Sequence, residues 1–86
     1  MNTPFFVTLC EQHNCVMLEP RQDLDACVVG IVSDGVVPRA AYSRDRLLKH
    51  FQRINQWDRD EAEDWLAYNV EVPQCAGWPV FVDGEV

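Results

Sequence analysis

The sequence lacks the features that place a chain in a membrane or direct it to export. It contains no apolar run of about 18 residues, which a transmembrane helix needs. The first 15 residues, MNTPFFVTLCEQHNC, have neither a basic segment nor a long apolar core, so they do not match a signal peptide. We therefore expect a cytoplasmic protein that makes no membrane contact.

The sequence also lacks the short motifs of common enzymes. It has no Gly-rich phosphate loop, no G-x-S-x-G and no H-E-x-x-H. Nothing in the sequence positions a cysteine against His13 or His50 as a nucleophile pair. We therefore predict that the protein is not an enzyme and needs no cofactor.

The cysteines give a weak metal signal. Cys10, His13 and Cys15 are zinc-type ligands, but structural zinc sites usually have paired C-x2–4-C knuckles, and no second knuckle is present. We predict no metal site and keep a zinc-stabilised domain as an alternative. Free thiols are expected in the cytoplasm, while an oxidised form with one of three pairings stays open. The four cysteines are Cys10, Cys15, Cys27 and Cys75.

Positive charge is nearly missing from the last third of the chain. Residues 1–57 hold six acidic and six basic residues, whereas residues 58–86 hold eight acids and Arg59 alone, so the net charge of −7 belongs to that last part. Binding to nucleic-acid phosphates needs cations, so direct nucleic-acid binding is disfavoured. A basic protein surface is the favoured partner.

The length of 86 residues predicts one domain, spanning residues 1–86. Hydrophobic residues make up 48% of the chain, which is enough for a core. At the N-terminus, Phe5–Leu9 and Val16–Leu18 are predicted as short strands, and Pro20–Asp25 as a loop.

A hairpin is predicted in the middle of the chain. Ala26–Val32 is β-branched and almost wholly apolar, which favours a central strand. Asp34-Gly35 is a typical hairpin turn. Val36–Tyr42 returns as the partner strand, at an edge or bulged, because Pro38 cannot donate a ladder hydrogen bond.

Two helices are predicted to follow. Ser43 is a candidate N-cap for a helix over residues 44–55. Its apolar stripe consists of Leu47, Leu48, Phe51 and Ile54, and its basic side of Arg46, Lys49 and Arg53. Asp58 and Glu61 predict a capping box for a second helix that ends at Asn69. Its core face is predicted to hold Ala62, Trp65, Leu66 and Asn69.

A last short strand is predicted over Val80–Val82. The resulting fold class is α+β, with a small antiparallel β-sheet and an αα-hairpin packed on one face.

Residues 57–69, WDRDEAEDWLAYN, contain the residues of the candidate binding site. The helix dipole and the cap account for the acids of the first turn. They do not account for the exposed acidic face, on which we place Asp60, Glu63 and Asp64, with Trp57 and Tyr68 as aromatic anchors. Ala62 stands where a calcium loop would need to turn, so calcium binding is not expected.

Several positions resemble short proteins of phages and bacterial mobile elements. These positions are Asp34-Gly35, Tyr42, Leu47-Leu48, Ala62, Tyr68-Asn69 and Pro79-Val80-Phe81. The likeness covers roughly half of the chain. It implies a small acidic protein that inhibits a host system by binding, as anti-CRISPR proteins do, in some cases by nucleic-acid mimicry.

The sequence thus predicts a small acidic inhibitor that binds a host protein or nucleoprotein complex through an acidic surface. Besides the zinc-stabilised domain, the alternative is a structural or accessory module that forms a homodimer through its helix hairpin or an edge strand.

Overall fold

The computed structural model describes residues 5–33 and 37–83. Within these ranges the chain forms helices and strands in the following order: α1 (Phe5–Gln12), α2 (Arg21–Leu24), β1 (Val28–Ser33), β2 (Pro38–Ser43), α3 (Arg44–Asn55), α4 (Arg59–Asn69) and β3 (Val80–Val82). A 3-10 turn, Asp25–Cys27, joins α2 to β1. The predicted α+β class is confirmed.

The sheet has the order β1-β2-β3 and is mixed. β1 and β2 pair antiparallel, as expected for the hairpin, with a bulge between Val28 and Gly30. β3 instead runs parallel to β2. A parallel pair needs a long crossover connection, which α3 and α4 supply, so the expectation of a wholly antiparallel sheet holds for β1 and β2 only. The predicted turn at Asp34-Gly35 lies outside the described residues.

The prediction of β1 as the central strand was wrong, because β2 lies between β1 and β3. Pro38 is the first residue of β2, where it pairs with Ser33 of β1. β3 pairs only with residues 41–43. The missing N–H of Pro38 therefore falls in a part of β2 that β3 does not reach.

The N-terminal predictions were also wrong. Phe5–Leu9 belongs to helix α1, residues 16–18 are not in a strand, and the predicted loop contains α2. In α1, Val7 and Cys10 are fully buried. Their i, i+3 spacing places both side chains on one face of a helix, and this burial outweighs the β-propensity of the segment.

Helix α3 has the predicted bounds. The Ser43 hydroxyl accepts a hydrogen bond from the Arg46 N–H at 3.2 Å, which confirms the N-cap. Leu47, Leu48 and Phe51 are buried as predicted. Ile54 was wrongly assigned to the same stripe: it lies in the last turn of α3 and is 56% exposed.

Helix α4 begins at the predicted capping box and ends at Asn69. Ala62 and Leu66 are fully buried, but Trp65, predicted in the core, is 37% exposed. At about 100° per residue, a position three after Ala62 lies at the border of the buried face. Asn69 is exposed and its amide donates to the Trp65 carbonyl at 3.0 Å.

The core is one connected cluster between the sheet and the helices. Tyr42 of β2 lies in it with 0% exposure, and its hydroxyl accepts a hydrogen bond from the Leu18 N–H at 2.8 Å. This bond holds the segment after α1 against the sheet. In the described ranges, no helix has the length and apolar character that crossing a membrane requires.

Candidate binding site: an aromatic groove on helix α4

A shallow groove of about 380 Å³ runs along the solvent side of α4 and the turn before it. We call it the aromatic groove. It is lined by Trp57, Glu61, Asp64, Trp65, Tyr68 and Asn69. Five of these six residues belong to α4, so a regular helix fixes their relative positions.

The indole rings of Trp57 and Trp65 give the groove an apolar surface. Their centroids lie 6.0 Å apart, with the planes inclined by 44°. Trp65 also packs on Phe51 of α3, with centroids 4.7 Å apart. Because Phe51 is only 8% exposed, Trp65 is supported from the core. Tyr68 is 79% exposed, which leaves most of its ring available to a partner.

The two carboxylates of the aromatic groove have different roles. Glu61 accepts a hydrogen bond from the Asp58 N–H at 3.2 Å, and Asp58 accepts one from the Glu61 N–H at 2.9 Å. Glu61 is therefore held in the capping box. Asp64 is exposed and forms no ion pair with any residue in the described ranges. Asp64 is thus the groove carboxylate that is available to a cationic ligand.

The predicted site residues separate into two sets. Trp57, Asp64 and Tyr68 line the aromatic groove. Asp60 is exposed but does not line it. Glu63 is half-buried and forms ion pairs with two arginines, so it is not part of a free acidic face.

These ion pairs belong to a chain of charges that joins α3 to α4. Arg44 contacts Glu71 at 2.9 Å and Glu63 at 3.4 Å. Arg59 contacts Glu63 at 3.7 Å and Asp45 at 3.2 Å. Two acids of the negative last third, Glu63 and Glu71, are therefore neutralised by partners within the fold.

The pKa shifts agree with this pairing. The hydrogen bond to Glu71 is the main cause that raises the pKa of Arg44 above its ordinary value. Hydrogen bonds from Lys49 and then Arg59 lower the pKa of Asp45. Arg44 and Asp45 therefore stay charged across the physiological range.

Sequence reasoning did not assign Glu61, Trp65 and Asn69 to the binding site. A signal for them was present, since residues 61, 64, 65, 68 and 69 recur at intervals of three and four and so share one side of a helix. Trp65 was assigned to the core because its spacing from Ala62 fits both the buried face and its border.

The candidate zinc ligands are not arranged as a metal site. Cys10 is buried whereas His13 is exposed. Across residues 5–33 and 37–83, no group of three or more His, Cys, Asp or Glu side chains could hold a metal ion. All four cysteines are free thiols.

Comparisons with known proteins supply no relative to guide the assignment of this site. No family model matches the chain, and searches of curated proteins and of solved structures return no match.

Proposed function

We propose that the protein is a protein-binding module, and that the aromatic groove receives an arginine or lysine side chain from its partner. The observation that carries this proposal is the presence of Trp57, Trp65 and Tyr68 in one groove with the Asp64 carboxylate. A cation over an aromatic face is attracted by the ring quadrupole. A nearby carboxylate adds a charge-assisted hydrogen bond to the same ligand.

The aromatic groove also has the composition of an energetic centre for binding. Tryptophan and tyrosine are enriched among the residues that contribute most to interface affinity, because they bury a large area at low entropic cost. The net charge of −7, all of it within residues 58–86, would attract a basic partner at long range. Association should therefore slow as the salt concentration rises.

For the partner, we propose a host protein or nucleoprotein complex that this chain inhibits. This part of the proposal rests on the resemblance to short phage and mobile-element proteins, among which anti-CRISPR proteins act by binding. Recognition of a cationic protein segment is favoured over nucleic-acid mimicry, because Glu63 and Glu71 are paired with Arg44 rather than presented as a carboxylate array.

A peptide titration tests the groove. Tryptophan fluorescence would follow the addition of a short peptide with a central arginine, compared with the same peptide carrying citrulline. We expect Tyr68→Ala and Asp64→Asn each to weaken arginine-peptide binding by roughly fivefold or more, which corresponds to about 1 kcal/mol. Asp60→Asn is the matched control, because Asp60 is an exposed acid of the same helix outside the groove.

Equal binding of the two peptides would reject the cation site. An effect of Asp60→Asn as large as that of Asp64→Asn would show general attraction to negative charge instead of a groove. Light scattering at the same concentrations tests the homodimer alternative. A dimer whose formation is unaffected by salt and by both groove variants would favour that alternative over the proposed partner.

The identity of the partner needs a separate experiment. A purified CRISPR effector complex would be mixed with the wild-type chain and with Tyr68→Ala, and DNA cleavage would be measured. Inhibition by the wild type that the variant loses supports the proposal. No inhibition rejects this class of partner and leaves the peptide result unaffected.

A further inference from the structure

Helix α1 ends in a Schellman motif, at a distance in sequence from the aromatic groove. Asn14 has the left-handed conformation, with φ of 57°. Its N–H donates to the Glu11 carbonyl at 3.2 Å, and the Cys15 N–H donates to the Cys10 carbonyl at 2.9 Å. These two hydrogen bonds, one from the left-handed residue and one from the residue after it, define the motif. The left-handed residue is the first one beyond the helix cap.

The motif brings two cysteines together. In a Schellman ending, the residue after the left-handed position commonly contacts the side chain five residues earlier. Here these residues are Cys15 and Cys10. The 2.9 Å backbone hydrogen bond between these residues limits the separation of their α-carbons, and a disulfide requires α-carbons roughly 4.4–6.8 Å apart.

The two thiols differ in their access to solvent. Cys10 is 0% exposed, and its sulfur lies 4.0 Å from the Gly30 carbonyl oxygen of β1. Burial, together with the neighbouring Cys15, raises the pKa of the Cys10 thiol to about 11. Cys15 is half-buried, so a small reagent reaches it first.

We propose that Cys10 and Cys15 are a redox pair, which a low-molecular-weight disulfide of the glutathione class converts into a disulfide bond. In the first step the Cys15 thiolate attacks the reagent, forms a mixed disulfide and releases one reagent thiolate. In the second step the Cys10 thiolate attacks the Cys15 sulfur and releases the other. Two protein thiols are oxidised, one reagent disulfide is reduced to two thiols, and the two protein protons pass to the products.

The bond would fasten the end of α1 in the conformation that it already has. The cross-link removes open conformations from the unfolded chain while leaving the native backbone in place, so it should stabilise the fold. A dithiol reductant would reverse the change, and α1 would keep its position against β1 in both states.

Peptide mapping tests this proposal. The full chain carrying Cys75→Ser, which removes the exposed thiol, is treated with oxidised glutathione; remaining thiols are alkylated, and the protein is cleaved after glutamate and arginine. Cleavage after Glu11 and Arg21 separates peptide 1–11, which holds Cys10, from peptide 12–21, which holds Cys15. Cys27 falls in a third peptide.

We expect peptides 1–11 and 12–21 to be joined in the oxidised sample and separate after reduction. The oxidised protein should also unfold at a temperature several degrees higher than the reduced protein. Cys15→Ser is the matched control and should show neither change. A link from either peptide to Cys27, or a stable glutathione adduct on Cys15 with Cys10 still alkylated, would overturn the proposal.

Discussion

The Trp65 indole lies against the Phe51 ring, with centroids 4.7 Å apart and planes inclined by 51°. Trp65 therefore packs against the core and also lines the aromatic groove. Replacement of Trp65 should affect stability as well as binding, whereas Tyr68, at 79% exposure, should affect binding alone.

Urea unfolding followed by far-ultraviolet circular dichroism separates these two effects. Trp65→Ala should lower the free energy of unfolding by about 2–3 kcal/mol, less than a fully buried tryptophan would cost because about a third of the side chain is exposed. Tyr68→Ala should change it by no more than about 0.5 kcal/mol. A Tyr68→Ala loss as large as that of Trp65→Ala would mean that Tyr68 is part of the core, and peptide binding could then not be assigned to its exposed ring.

The capping box gives a second prediction. Asp58→Ala should lower the free energy of unfolding by about 1 kcal/mol, because the Glu61 N–H loses its side-chain acceptor, whereas the backbone N–H of residue 58 still donates to the Glu61 carboxylate. Asp60→Ala removes a neighbouring acid of the first turn without a cap and should cost at most a few tenths of a kcal/mol. If chemical denaturation shows the same loss in the free energy of unfolding for both variants, the effect comes from the helix dipole and not from the cap.

Arg44 gives a third prediction, since it connects two carboxylates across the helix pair. Its side chain is 24% exposed, and Glu71 and Glu63 are 26% and 37% exposed. We expect Arg44→Met to lower the free energy of unfolding by about 1 kcal/mol, which allows for partial solvent screening. Lys49→Met is the control: the Lys49 side chain is 69% exposed, so its pair with Asp45 should contribute almost nothing. A double-mutant cycle of Arg44→Met with Glu71→Gln measures the pair directly, and a coupling energy near zero would contradict its role.

The sequence was sufficient to predict α3, α4 and their caps because those signals are local. Ser43, Asp58 and Glu61 act within one helical turn, and each makes the predicted hydrogen bond. For Phe5 and Phe6 the local signal predicted the wrong structure. Their β-propensity indicated a strand, and only packing against the sheet makes α1 the favoured structure.

The strand order, and which of the acidic side chains are left without an ion pair, depend on contacts between residues far apart in sequence. β3 reaches β2 only after two helices, so periodicity could not show that it runs parallel. Glu63 and Asp64 are adjacent in sequence and chemically equivalent. Arg59 pairs with Glu63 at the local i,i+4 spacing, but the second partner, Arg44, lies 19 residues from Glu63 and could not be predicted from spacing. The aromatic groove could be predicted only in part for the same reason, since Trp65, which lines it, packs on Phe51 of another helix.

Tyr42 gives the last prediction, which concerns alkaline pH. Burial raises the pKa of its hydroxyl to about 12, and the hydrogen bond from the Leu18 N–H only partly opposes that rise. In the unfolded chain the pKa is about 10. Between these values the unfolded state has lost a proton that the folded state keeps, so stability falls as pH rises. The contribution is fully present below about pH 10 and lost as pH passes through about 12.

Urea unfolding at a series of pH values from about 9 to 12 measures this loss, which should be on the order of 2 kcal/mol. The matched variant is Tyr42→Phe. It should be less stable at neutral pH by about 1–3 kcal/mol, because the Leu18 N–H loses its acceptor in the core. It should also lose less stability than the wild type over the upper part of that pH range, where Cys10 and other groups still titrate in both proteins. An identical alkaline slope in the two proteins would show that the Tyr42 hydroxyl does not keep its proton in the folded state.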